Sequence, residues 1–210
     1  MIVAVAGCPH PPLLLPGITG RPVAEVERLR AACASAVGEL LAAGPARVMV
    51  IGGAAPGEDE KALSIVIGRQ LLREAGCRVP VEHLAVAADT APADCLRAGR
   101  ELAGGDDTTL GLLVMGDGSA CRSLKAPGYL DPRAAPFDEG VRSWLASGRL
   151  GGLADLDAGL AAELLVAGRA AWQVLAGAVG DLAGASRLHY SDDPFGVWYP
   201  VFSWQPVPTG

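Results

Sequence analysis

Apolar positions along the chain fall into two alternating kinds of run. Short blocks rich in β-branched residues occupy Ile2 to Ala6, Arg47 to Ile51, Val79 to Ala87 and Thr109 to Met115. Each reads as a buried strand, because a strand covered on both faces has no polar side to show. Between them lie longer stretches with apolar residues at three- and four-residue spacing. In Val23 to Ala43 the stripe is Val26, Leu29, Cys33, Val37, Leu40 and Leu41, interleaved with Glu25, Glu27, Arg28 and Arg30 and stopped by Gly44-Pro45. Such spacing turns one face to a core, so the segment is an amphipathic helix. Leu63 to Ala75, closed by Gly76, and Ala91 to Leu102 repeat the pattern.

Strands alternating with helices argue for an α/β fold of three layers, α/β/α, around a central, largely parallel or mixed sheet. In the second half, helices are predicted over Phe137 to Ala146, Leu160 to Val166 and Ala170 to Val179. Arg187 to Tyr190 and Gly196 to Trp204 read as a C-terminal hairpin across Ser191-Asp192-Asp193-Pro194. Ser119 to Asp138 is irregular and rich in proline, and a loop of that length in a compact domain is often functional. There is no internal repeat or linker. The 210 residues fit one domain, 1–210.

Composition narrows the partners. Half the residues are apolar and 19% are charged, which speaks against extended disorder. A net charge of -6 and scattered arginines leave no basic footprint, so nucleic acid is not expected as a partner. The uncharged opening holds Pro9, Pro11, Pro12 and Pro16, which fits neither a signal peptide nor a spanning helix, and no membrane association is expected. Five cysteines without a C-x-x-C pair suit reduced thiols in the cytoplasm. The scarcity of lysine, only Lys61 and Lys125, reads as bacterial codon usage. Trp172, Trp198 and Trp204 offer apolar surface either to the core or to a homodimer contact.

In a parallel sheet, sites gather beyond the carboxyl ends of strands. That singles out the loops at His10, Ala54 and Asp117. His10 sits between prolines that stiffen its loop, which suits a ligand or catalytic group as well as a structural one. Asp117 lies in a Gly-Asp-Gly turn that its own side chain could cap, and Asp192 and Asp193 likewise precede Pro194 in a turn. His83 falls inside a predicted strand, as packing or a solvated side chain. Ser119 and Cys121 have no histidine beside them to activate a nucleophile. No phosphate-binding loop, dinucleotide fingerprint or H-E-x-x-H motif occurs.

Four segments in order carry a resemblance. Cys8-Pro9-His10-Pro11-Pro12-Leu13-Leu14 after the first strand, Arg47 to Pro56, Gly116 to Arg122 and Tyr190 to Tyr199 resemble segments of the class III extradiol ring-cleavage dioxygenase superfamily, including its Memo-like and small bacterial branches. That family holds Fe(II) with two histidines and a glutamate, leaving positions open for a catechol-type substrate and O₂, and uses a further histidine as acid/base.

The resemblance implies a degenerate site. It places the first iron histidine at His10, the second at Ala54, the carboxylate at Asp192 and the acid/base histidine at Ala120. Aspartate reaches about 1.5 Å less than glutamate, and two protein donors hold a divalent ion weakly. Losing the acid/base removes roughly 10²–10⁴ in rate. The expectation is a relative without ring-cleaving activity that binds a small molecule or a partner, with no cofactor. The pocket would be drawn from His10, Ala54, Asp117, Ser119, Ala120, Cys121, Arg122 and Asp192. An alternative is a working metalloenzyme holding Fe or Zn in a rebuilt site of His10 and Asp192 with His189 and Cys8 or Cys121. A third reading is a hydrolase using Asp117, Ser119 and Lys125, with Arg122 holding an anion.

Overall fold

A computed structural model describes residues 1–210 apart from 19, 56, 58, 106, 107 and 208–210. Pro56, which ends the second segment of the resemblance, lies outside the described residues. The strands are β1 (Ile2–Cys8), β2 (Arg47–Ala54), β3 (Val81–Ala87), β4 (Leu110–Met115), β5 (Gly184–Asp192) and β6 (Tyr199–Pro206). The helices are α1 (Ala24–Ala42), α2 (Leu63–Glu74), α3 (Pro92–Ala103), α4 (Ala134–Ser147), α5 (Ala158–Glu163) and α6 (Arg169–Val179), with short 3-10 turns at Pro12–Leu14, Asp59–Lys61 and Leu150–Asp155.

The strands join in one sheet of order β3-β2-β4-β1-β6-β5. β1 to β4 run parallel, whereas β6 lies antiparallel to β1 and pairs with β5 as the expected C-terminal hairpin. Side-chain alternation assigns each strand to two cores. Val5, Met49, Ile51, Leu112, Val114, Phe202 and Trp204 point to one face, where α3, α4 and α6 pack. Ala4, Ala6, Val48, Val50, Leu113 and Val201 point to the other, under α1 and α2. Three layers therefore form as the sequence pattern anticipates. No helix among the described residues is long and apolar enough to cross a membrane.

α3 and α6 touch backbone to backbone. A Cβ on Gly99 would lie 2.0 Å from the Val174 carbonyl oxygen, and one on Gly177 would lie 2.2 Å from that of Leu96. All eleven residues of α6 are buried, so this helix is the inner pillar of its layer. Trp172, Trp198 and Trp204 are at most 4% exposed, and Trp172 meets Trp198 edge to face at 6.4 Å. Of the two readings of these tryptophans, core packing is the one observed.

Three local expectations are corrected. α4 begins at Ala134 and takes in Pro136, which the sequence pattern left in the loop; proline is tolerated in a first turn, where its missing N–H has no intrahelical partner. The helix expected to reach Val166 stops at Glu163, and Leu165 adopts a left-handed conformation at φ 55°. β3 begins at Val81, two residues later than the apolar run suggests.

Candidate functional site

The carboxyl ends of β1 and β4 lie side by side, as their parallel pairing requires, with Cys8 opposite Met115. The loop after β4 is stitched on three sides: Gly116 N–H donates to Cys8 O at 2.9 Å, Gly118 N–H to Trp198 O at 2.8 Å, and Gly168 N–H to Asp117 O at 2.8 Å. Asp117 does not cap its own turn. Its Oδ1 accepts from the backbone N–H of His10 at 2.7 Å and lies 3.3 Å from His10 Nδ1. That ring nitrogen is buried without a well-aligned hydrogen bond among the described residues, so its contact with Asp117 is a close approach rather than a directed bond. Tyr199 stands close by; burial, then the negative charge of Asp117, hold its phenol well above the ordinary value.

The next residues of the same loop build a second group. Ser119 is fully buried; its N–H donates to Asp138 Oδ1 at 2.9 Å and its hydroxyl to Oδ2 at 2.5 Å. Arg122 Nε donates to Asp193 Oδ2 at 2.6 Å, while its Nη1 lies 3.8 Å from Asp138 Oδ2. Burial raises the Asp138 carboxyl above its ordinary value, and the Ser119 hydrogen bonds and Arg122 oppose that rise. Trp198 closes the group: its N–H donates to Ser119 O at 3.0 Å and its indole N–H to Ser191 Oγ at 3.1 Å. Gly118 is fixed by the same packing, since a Cβ there would fall 2.3 Å from the Trp198 ring.

A cleft of about 390 Å³ opens beside this group, between α4 and the β5–β6 turn. It is lined by Arg122, Asp138, Glu139, Arg142, Asp192 and Asp193, together with Ala135, Ser191 and Trp198. Four carboxyl groups face two guanidinium groups. Each arginine already has an acidic partner, Asp193 for Arg122 and Glu139 for Arg142. The cleft thus carries an excess of negative charge when all four acids are ionised.

No family model matches the chain, and no curated protein does. The fold is shared. Among solved structures, an uncharacterized protein, JW3007 from Escherichia coli K12, superposes with a TM-score of 0.58 at 13% identity, over 97% of this chain and 99% of that one. At that identity the likeness speaks for the fold alone.

The candidate residues divide between the two groups. Arg122 and Asp192 line the cleft, Ser119 lies behind it, and His10 pairs with Asp117 at the strand ends. Ala54 ends β2 opposite Ala87 of β3. Ala120 is buried and tied through its N–H to Leu164 O, and the Cys121 thiol contacts the same carbonyl at 3.4 Å. Asp192 is exposed, with Oδ1 accepting from Asp193 N–H.

Iron of the kind the resemblance implies does not fit this donor set. Ala54 and Ala120 offer methyl groups, and among the described residues no three His, Cys, Asp or Glu side chains gather into a group able to hold a metal ion. The rebuilt set is dispersed as well. His189 Nε2 is 2.9 Å from Ser203 Oγ within the β5–β6 hairpin, and Cys8 lies in the core beside Cys33. The hydrolase set is not brought together: Ser119 is sealed and bonded to Asp138, while Lys125 is exposed, with its backbone N–H donating to Ser123 Oγ. His83 is half-buried, with Nδ1 3.0 Å from an Arg69 nitrogen.

Sequence reasoning did not single out Asp138 or Trp198 as site residues. Asp138 sits on an amphipathic helix with no local sign of its role. The usable signal was Trp198, four residues beyond Pro194 of the turn, since an aromatic side chain near a strand-end loop often forms a pocket wall.

Proposed function

We propose that the protein is a relative of the class III extradiol dioxygenases that does not cleave rings, and that its cleft binds a small polar molecule bearing a positively charged group. The observation that carries this is the composition of the cleft: an open, aromatic-backed space whose acids outnumber its bases four to two. A cation entering it meets Asp192 and Asp138 near Trp198, and charge pairing in a partly enclosed site is less screened than at an open surface. The alanines at positions 54 and 120 support the loss of the inherited chemistry. A methyl group neither ligates a metal nor moves a proton, and a missing acid/base alone costs roughly 10²–10⁴ in rate.

Two measurements test the reading. Protein purified without chelator, loaded anaerobically with Fe(II) and then offered a panel of catechols in air should show no ring-opening absorbance; turnover of any catechol would overturn the non-catalytic half. Calorimetric titration with butylamine should show saturable binding that Asp192→Asn weakens, with butanol and butyrate binding at least about tenfold more weakly. Equal affinity for butylamine and butanol would remove the electrostatic half.

A further inference from the structure

A second cavity, separate from the cleft, lies between the loop after β3 and the segment joining α5 to α6. It has a volume of about 400 Å³, within the range of roughly 300–1,000 Å³ typical of small-molecule sites. Its walls are mainly apolar: Ala158, Ala161 and Ala162 of α5, then Leu165, Val166 and Ala167 of the following turn. The left-handed Leu165 leaves that side chain half exposed at the cavity edge. One charged side chain on the wall is buried, Arg169, at 4% exposure.

Arg169 is an unusual buried cation because, among the described residues, no carboxylate lies within ion-pair distance of it. Its Nη1 donates to Thr90 O at 2.7 Å and to Gln173 Oε1 at 2.9 Å, and its Nη2 donates to Ala88 O. All three are neutral oxygens, and among the described residues Arg169 forms no ion pair. A guanidinium has five N–H donors; three are engaged by oxygen, Nη1 also contacts Cys95 Sγ at 3.8 Å, and among the described residues Nε–H and one Nη2–H have no oxygen partner. Buried charges are ordinarily paired, because removing an ion from water costs several kcal/mol. The carbonyl dipoles orient this group while leaving its charge uncompensated beside an apolar cavity.

We propose that this cavity is a ligand site for a small carboxylate with an apolar body, whose carboxylate pairs with Arg169 and whose hydrocarbon part lies along α5. Arginine suits that role because its planar fork matches a carboxylate, with charge-assisted bonds about twice as strong as neutral ones. Asp89 at the mouth disfavours a second negative group on the exposed end, which limits the ligand to a single acid. The site uses none of the residues of the Arg122 cleft, so it stands or falls independently of that assignment.

Hexanoate is the probe, followed by calorimetry or ligand-observed NMR on the whole protein. One equivalent should bind, with hexanol and hexylamine at least about tenfold weaker. Arg169→Gln should abolish binding, but it also removes ties to Ala88 and Thr90 and could loosen the fold. Ala162→Trp provides the second arm: it enters the cavity from an exposed position on α5 and should block hexanoate while leaving butylamine binding at the other cleft unchanged. No saturation by hexanoate at millimolar concentration, equal binding of hexanol, or undiminished affinity in Ala162→Trp would each overturn the proposal.

Discussion

The contact between α3 and α6 predicts an unusually costly substitution, Gly99→Ala. The added Cβ would sit 2.0 Å from Val174 O, 2.6 Å from Ala178 N and 2.8 Å from Gly177 C. These are backbone atoms of a fully buried helix, so none can rotate aside. Reaching ordinary contact at about 3.5 Å requires the helices to part by roughly 1.5 Å. Overpacking a dense core costs about 1–3 kcal/mol and more where relief is blocked, while alanine recovers about 1 kcal/mol of helix propensity. The net expectation is a loss of about 2 kcal/mol or more, and α6 cannot shift without also moving Gly168, which holds the Asp117 carbonyl. Gly38→Ala and Gly140→Ala are the controls. Both glycines are exposed in helices with nothing within 4 Å of the added methyl, and each change should stabilise by roughly 0.5–1 kcal/mol. Urea unfolding followed by tryptophan fluorescence reads all three. A Gly99→Ala protein as stable as the parent, or a Gly38→Ala protein as damaged as Gly99→Ala, would refute the close-crossing argument.

Two further outcomes follow from the sites. The folded-state value of Asp138 is raised, so its contribution to stability is fully present below the unfolded value of 3.8 and is lost as pH rises through the folded one; Asp138→Asn, which does not titrate, should therefore gain on the parent between about pH 4 and neutrality, and a stability difference independent of pH would contradict the assignment. The Tyr190 hydroxyl is buried without a hydrogen-bond partner among the described residues, so Tyr190→Phe should be neutral or stabilising by up to about 1 kcal/mol in thermal unfolding, and a clear loss would mean that the hydroxyl has a partner in solution.

The layered fold was legible because its signals are local. Three of the four β-branched runs end at a glycine (Gly7, Gly52 and Gly116), helical stripes are stopped by Gly44 and Gly76, and the Asp-Asp-Pro turn marks the hairpin. Gly76, for instance, takes φ 73° just past α2, the left-handed conformation a helix terminus favours glycine for. The site was legible only in part. The loops of His10 and Asp117 were found by their position after strands, but the Asp117 side chain bonds to a residue more than a hundred positions earlier, a pairing that no turn rule encodes. The partnership of Ser119 with Asp138 is equally non-local. Arg169 and Gln173 did leave a trace, as two polar residues one turn apart in the otherwise apolar α6. Such a pair on a buried helix points to an internal hydrogen-bonded group, here the one beside the second cavity.

The pairing of β1 with β6, Val5 opposite Trp204, has a consequence for biosynthesis. On the ribosome β1 emerges long before its neighbour on the hairpin side, so one of its two hydrogen-bonding edges waits until the residues up to β6 have been translated. Closing so long a loop is entropically slow, and an unpaired apolar edge is a template for mispairing during that interval. Closure of the sheet at β1–β6 therefore comes late, and chaperone demand should track the time between synthesis of the two strands.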